Sequence, residues 1–253
     1  KVLQPYVQRL LRTENENTSF IYDVVILNAL RKPELEAIHK SWPLNLSEEK
    51  LLGSTINCRT GYLNLDSGKT LKIACAHLNQ MGPIAATHST EVILRQLKPR
   101  VLIMTGICGG FSDTVSVGDV VVADKSWDWQ AGKWTEGGTL QSASDPKEAD
   151  YELVALAKTI DSDMQFFYEN YREYRPRDYP KLISAPMVSG SSVVASADIQ
   201  KVFRSQHRKM AGIDMECYGL YYSCANHHGQ ATKVICIKSV SDLADRAKDD
   251  DFH

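Results

Sequence analysis

The chain has 253 residues, 43% of them hydrophobic and 24% charged, a balance that excludes a disordered or fibrous protein. With 29 Lys and Arg against 31 Asp and Glu the net charge is −2, which argues against a protein whose main task is gripping a nucleic-acid backbone. No apolar run approaches the ~18 residues of a membrane span and no signal-peptide pattern opens the chain, so neither nucleic acid nor a membrane is an expected partner.

Residues 1–12 pattern as a helix with Val7, Leu10 and Leu11 on one side, and the polar stretch Thr13–Ser19 reads as a linker. Residues 1–19 are therefore expected to be a helix and linker, the tail of a fused upstream domain or a helix docked on the core, and residues 20–253 the main domain. Asp23–Leu30 is an apolar strand. Pro33–Lys40 is a short helix with Pro at its first position, where a missing N–H costs nothing. Cys58–Leu65 and Leu71–Leu78 are strands joined by the turn Asp66-Ser67-Gly68. Gly82-Pro83 opens a helix reaching about Leu97. Val101–Thr105 is apolar throughout, as in a central strand buried on both faces, and Gly106–Gly110 reads as a glycine loop after it. Val117–Asp124 is another strand. A turn-rich region over 127–150 carries Trp127, Trp129 and Trp134, a candidate interface, and helices fill 147–174. Leu182–Ser189 is a strand and Ala197–His207 a helix. Ile213–Met215 ends a strand, Glu216–His228 is a helix stopped by Gly229, and Lys233–Val240 is the last strand. Strands alternating with helices predict an α/β layered fold with a largely parallel central sheet.

The six cysteines, Cys58, Cys75, Cys108, Cys217, Cys224 and Cys236, form no CxxC pair and mostly lie in apolar runs. They read as buried thiols of a reducing compartment, which makes a cytoplasmic location the expectation. His227-His228 has no third ligand at a useful spacing, so no metal and no cofactor is expected.

Three stretches carry chemistry. The first is Gly106–Gly110 with its inner residues Ile107, Cys108 and Gly109: it follows a buried strand and so lies at a strand's carboxyl end, where open α/β sheets bind ligands. The second is Asp214-Met215-Glu216. Cys217, Leu220, Tyr221 and Cys224 fall on one helical stripe, which leaves Glu216 at the helix N-terminus, where the dipole favours an ionised carboxylate. Such a carboxylate accepts two hydroxyl hydrogen bonds, as a sugar diol offers, or simply caps the helix. The third is Ser241-Asp242-Leu243-Ala244-Asp245. Asp242 falls near a strand's carboxyl end, where a partly desolvated carboxyl can act as a general acid or serve as a helix cap, and Asp245 reads as structural.

Taken together, in this order and at these spacings, these stretches resemble the nucleoside phosphorylase/nucleosidase superfamily, most closely the bacterial 5′-methylthioadenosine/S-adenosylhomocysteine nucleosidases. The resemblance rests on Thr105–Gly110, on Val117–Val122, on Val188–Val194, on Asp214–Glu216 and on Ser241–Asp245, and spans residues 22–252. It implies a three-layer α/β/α sandwich around a central mixed, largely parallel sheet, and a homodimer or higher oligomer. It implies an enzyme that cleaves a purine ribosyl bond through an oxocarbenium-like transition state. Asp242 matches the acid that protonates purine N7, and Glu216 the carboxylate that holds the 2′- and 3′-hydroxyls. Met215 lines the ribose, Val193 and Val194 sit on the purine, and Phe252 matches an aromatic covering the 5′ substituent. Adenine is favoured over guanine by the resemblance alone.

Two departures shape the reading. Met104 stands where the hexameric phosphorylases carry a phosphate-binding arginine, which favours water over phosphate as nucleophile. In the first loop, Ala29-Leu30-Arg31-Lys32-Pro33-Glu34, an ungapped match puts Lys32 on the position of the water-activating acid, and a shift of two residues puts Glu34 there. If Arg31 and Lys32 face the pocket they would pair with an anionic 5′ group, making AMP or ATP the substrate in place of a 5′-thionucleoside such as methylthioadenosine. Trp127–Lys133 also resembles the branch of the superfamily fused to signalling or antiphage-defence modules, some members of which degrade ATP to adenine. The expected function is an adenine nucleosidase. The alternatives are a phosphate-dependent purine nucleoside phosphorylase and a catalytically silent nucleotide-binding module.

Overall fold

A computed structural model describes residues 20–41, 45–53, 55–171, 179–194 and 197–244. The helix and linker expected over 1–19, Asp245 and Phe252 lie outside the described residues.

Strict alternation builds the sheet. In β1 (Tyr22–Asn28) Val25 and Leu27 face one side and Val24 and Ile26 the other, all buried. An apolar strand of this kind needs cover on both faces. β1 lies between β4 (Thr70–His77) and β5 (Pro99–Gly110), parallel to both. β3 (Ile56–Asn64) and β2 (Asn45–Leu52) continue this side antiparallel to the edge. On the other side β12 (Lys233–Asp242) runs parallel to β5 and antiparallel to β6 (Val120–Asp128), followed by β10 (Leu182–Ser189) and β11 (Gly212–Asp214). A short β9 (Lys147–Glu148) pairs with β6, and β7 (Gly132–Trp134) with β8 (Leu140–Ser142) forms a separate hairpin.

One face is covered by α2 (Pro83–Gln96) and α6 (Cys217–Asn226), whose Ala86, Ile93, Leu94, Leu220 and Tyr221 meet Val25, Leu27 and Leu102. The other is covered by α3 (Tyr151–Lys158) through Leu153, Val154 and Ala157, beside Leu35 just ahead of α1 (Glu36–Ser41). A third apolar group, in which Phe203 of α5 (Ala197–Gln206) packs with Phe111, Trp127 and Trp129, closes one end of the sheet. This is the α/β/α layering the sequence implies, with α4 (Met164–Asn170) at the periphery. Among the described residues no helix is long and apolar enough to cross a membrane.

Several elements differ from the sequence reading. Gly106–Gly110 is strand, not loop. β12 pairs with it through Lys238–Gly106 to Asp242–Gly109, and β11 meets it antiparallel at Gly109 and Gly110. Glycine is required there by proximity: a Cβ on Gly110 would lie 2.5 Å from Val115 Cγ2 and 2.7 Å from Val240 Cγ1. Because β11 also pairs with β10, the strands β5, β12, β6, β10 and β11 close on themselves at this point. β2 was not expected, since its sequence NLSEEKLL is too polar for a core strand. The helical stretch expected over 147–174 is broken into β9, α3, a 3-10 turn at Thr159–Asp163 and α4. The helix expected from Pro33 is an irregular turn, Arg31–Leu35, in which Lys32 is extended, leading into α1.

Candidate active site

The carboxyl ends of β1, β5, β11 and β12 converge on a cavity of about 320 Å3. Asp242, Glu216 and Glu34 all line it, as do Met215, Val193, Val194, Ile107, Cys108 and Gly109, so nine of the expected site residues surround one space. Arg31 and Lys32 do not line it: both are exposed, and Lys32 Nζ lies 3.5 Å from Glu36 Oε1 on the outer side of the turn.

Each carboxylate is held by its element. Asp242 ends β12, where Oδ1 accepts the Ala244 N–H at 2.8 Å and Oδ2 accepts the Ser241 hydroxyl at 3.3 Å. It is 7% exposed. Opposite it Gly109 has no side chain; a Cβ there would stand 3.2 Å from Asp242 Oδ1. Glu34 is carried by the turn after β1. Its Oε2 accepts the Leu30 N–H at 2.8 Å and its Oε1 the Ile107 N–H at 3.1 Å, so the buried carboxylate ties the β1 loop to β5. Gly106 makes room for it, because a Cβ there would overlap Glu34 Oε1.

Glu216 precedes the first turn of α6 and is 4% exposed. Its Oε1 accepts the N–H of Gly82, the residue before α2, at 3.1 Å, and its Oε2 lies 3.4 Å from Lys238 Nζ. Lys238, on β12, is wholly buried and also sits 3.4 Å from Asp214 Oδ2. Burial works against its ammonium, but the Asp214 and Glu216 carboxylates outweigh it and hold the group charged well beyond the ordinary lysine range. Asp214 takes three further hydrogen bonds, from the Ser189 hydroxyl at 2.6 Å and from the Cys217 N–H at 3.0 and 3.2 Å to its two oxygens. Burial pushes the Cys108 thiol up, which leaves it a poor nucleophile.

Sequence reasoning passed over Lys238, Ser189 and Met81, which also lines the cavity. The signal for Lys238 was there: one lysine inside the apolar run Val234–Val240, where a charge needs a partner. Ser189 lies inside the Val188–Val194 stretch on which the resemblance rests, though it is given no role there, and Met81 carries no comparable signal. Among the described residues no cluster of three or more His, Cys, Asp or Glu has metal-binding geometry.

Comparison with known proteins bears on the fold and the family. Two Helicobacter pylori enzymes share the fold: futalosine hydrolase, with a TM-score of 0.69 at 18% identity over 89% of this chain and 87% of that one, and 5′-methylthioadenosine/S-adenosylhomocysteine nucleosidase, with 0.69 at 19% over 90% and 88%. Among curated relatives, the protein y4jS of Sinorhizobium fredii is 29% identical over 98% of this chain and 62% of its own length. The ATP nucleosidase Cap17 of Escherichia coli is 22% identical over 91% of this chain and 48% of its own. A death domain-containing ATP nucleosidase of Amphimedon queenslandica is 28% identical over 67% of this chain and 33% of its own. The chain thus spans only part of the length of these relatives. The family model of the phosphorylase superfamily matches residues 23–253, and the chain belongs to that superfamily.

Proposed function

We propose that this chain is an N-ribosyl hydrolase that releases adenine from an adenine nucleoside or 5′-nucleotide. The observation that carries the reading is the convergence of Asp242, Glu216 and Glu34 on one cavity at the carboxyl end of the sheet. Asp242 is assigned to protonate purine N7, so that the base leaves neutral. Glu216 is assigned to hold the ribose diol and to stabilise positive charge developing at C1′. Both Glu34 oxygens keep a lone pair after accepting one N–H each, and Glu34 is assigned to orient the attacking water and take its proton. Val193 and Val194 would flank the base and Met215 the sugar.

Water is favoured over phosphate. Met104, where a phosphate-binding arginine would stand, is fully buried in the core under α2 and α6. The charged residues that line the cavity, among those described, are four acids, Glu34, Asp214, Glu216 and Asp242, and no cation. The same acids would repel a 5′-phosphate inside the cavity. A nucleotide substrate would therefore run its phosphates out past Leu30 towards the exposed Arg31 and Lys32. The names of two relatives, ATP nucleosidases longer than this chain, support a nucleotide substrate and a place for the chain as the nucleosidase part of a larger protein.

The test is adenine release, followed by chromatography in phosphate-free buffer, from methylthioadenosine, AMP and ATP separately, beside Asp242→Asn. Adenine from AMP or ATP, reduced about 100-fold or more in the variant, is the expected result. Adenine that appears only when phosphate is added would replace the hydrolase by a phosphorylase.

A further inference from the structure

Lys238 is a cation buried beneath the cavity that the reaction above does not use. It faces carboxylates on two elements, Asp214 at the end of β11 and Glu216 at the start of α6, at 3.4 Å from each. The other titratable groups around it are Glu34 on the turn after β1 and Cys236 on its own strand, with Cys108 on the neighbouring β5.

We propose that Lys238 is a positioning residue: with Gly82 it fixes both oxygens of Glu216 from behind, so that its remaining lone pairs face the cavity to accept a sugar diol. This rests on the functional reading above. The Gly82 N–H occupies one lone pair of Oε1 and Lys238 Nζ one of Oε2, which leaves one acceptor site on each oxygen, the pattern two vicinal hydroxyls require. Besides Lys238, Asp214 is held by two donors, the Ser189 hydroxyl and the Cys217 N–H, whereas Glu216 is held by one, the Gly82 N–H. Without the ammonium, two carboxylates buried side by side have no cation between them, and Glu216, the less firmly held, swings off the position that meets the diol.

The test compares Lys238→Met and Lys238→Arg with the parent on whichever of methylthioadenosine, AMP and ATP the parent cleaves fastest, each beside the 2′-deoxy analogue of that compound. Lys238→Met is expected to lose about 100-fold or more in kcat/KM on the diol substrate and much less on the 2′-deoxy analogue, because the lost function is holding the hydroxyls. Lys238→Arg should keep most of the activity and the preference for the diol. A Lys238→Met that folds and is slowed by the same factor on both compounds, or not slowed, overturns the proposal. If Lys238→Met does not fold, Asp214→Asn alone carries the test. With Lys238 then facing Glu216 alone the preference for the diol should be kept, and its loss counts against Lys238.

A parent chain that cleaves none of the three compounds sinks the hydrolase reading, and binding then decides this one. By calorimetry, adenosine should bind the parent more tightly than 2′,3′-dideoxyadenosine, and Lys238→Arg should keep that difference while Lys238→Met loses it. A parent that binds adenosine no better than the dideoxy compound, or a Lys238→Met that keeps the difference, overturns the proposal.

Discussion

At the scale of single residues the site depends on a few close approaches. Glu34 reaches both Leu30 and Ile107 only because Gly106 has no side chain. Gly106→Ala should therefore displace Glu34 from the Ile107 N–H. The expected cost is about 1–3 kcal/mol of unfolding free energy from overpacking. The rate should fall further than that loss of folded protein explains. Denaturant titration beside adenine release separates the two effects, and full activity in Gly106→Ala would remove Glu34 from its assigned role. Asp242 and Glu216 were legible in the sequence because each sits where a strand ends in a short motif, and the structure brings them to one cavity. Glu34 was legible only by sliding the first loop two residues, since the irregular turn at Arg31–Leu35 has no signature in local propensity. The charges of Arg31 and Lys32 said nothing of direction, and the turn exposes both. Lys238 shows the same limit from the other side: a lysine in an apolar strand announces that it has partners, but only the tertiary fold says they are Asp214 and Glu216.

At the scale of elements, the two helices that hold Glu216 are in close contact. Glu216 starts α6 and its hydrogen-bond donor Gly82 starts α2, so their packing sets the distance between them. Gly219 is the point of contact: a Cβ there would stand 2.5 Å from Pro83 O and 2.9 Å from Thr87 Oγ1. Gly219→Val should push α6 away from α2 and lower stability by about 1–3 kcal/mol, read as a fall in Tm. It should also raise KM by loosening the Gly82–Glu216 bond, and an unchanged KM in the folded variant would show that the helix contact does not set the site. The strands of the central sheet were readable because apolar runs such as Val101–Thr105 need cover on both faces. Gly106–Gly110 reads as a loop because glycine is a turn signal in isolation. Here it marks strands packed too closely for side chains, a contact made by the distant β11 and β12. The edge strand β2 was missed for the opposite reason: its partner β3, not its own composition, makes it a strand.

At the scale of the whole molecule, β11 does for the sheet what no single motif reveals. By pairing with both β10 and β5 it closes five strands around the place where Asp242, Asp214 and Glu216 stand together. Acids thus concentrate at one end of a nearly neutral chain, over a buried lysine that offsets part of their charge. Such a cavity suits a reaction centre that becomes positive and a nucleophile that is neutral. Whether the nucleophile is water or phosphate shows in one oxygen atom, the one bound to C1′ of the sugar product. The measurement is mass spectrometry of the sugar product after turnover of the best of methylthioadenosine, AMP and ATP in 18O-labelled water, with inorganic phosphate present. Hydrolysis gives adenine without label and a sugar that keeps its 5′ substituent and carries one labelled oxygen, acquired at C1′ as the glycosidic bond breaks. A sugar 1-phosphate, or a sugar product with no label from the attacking water, would contradict it.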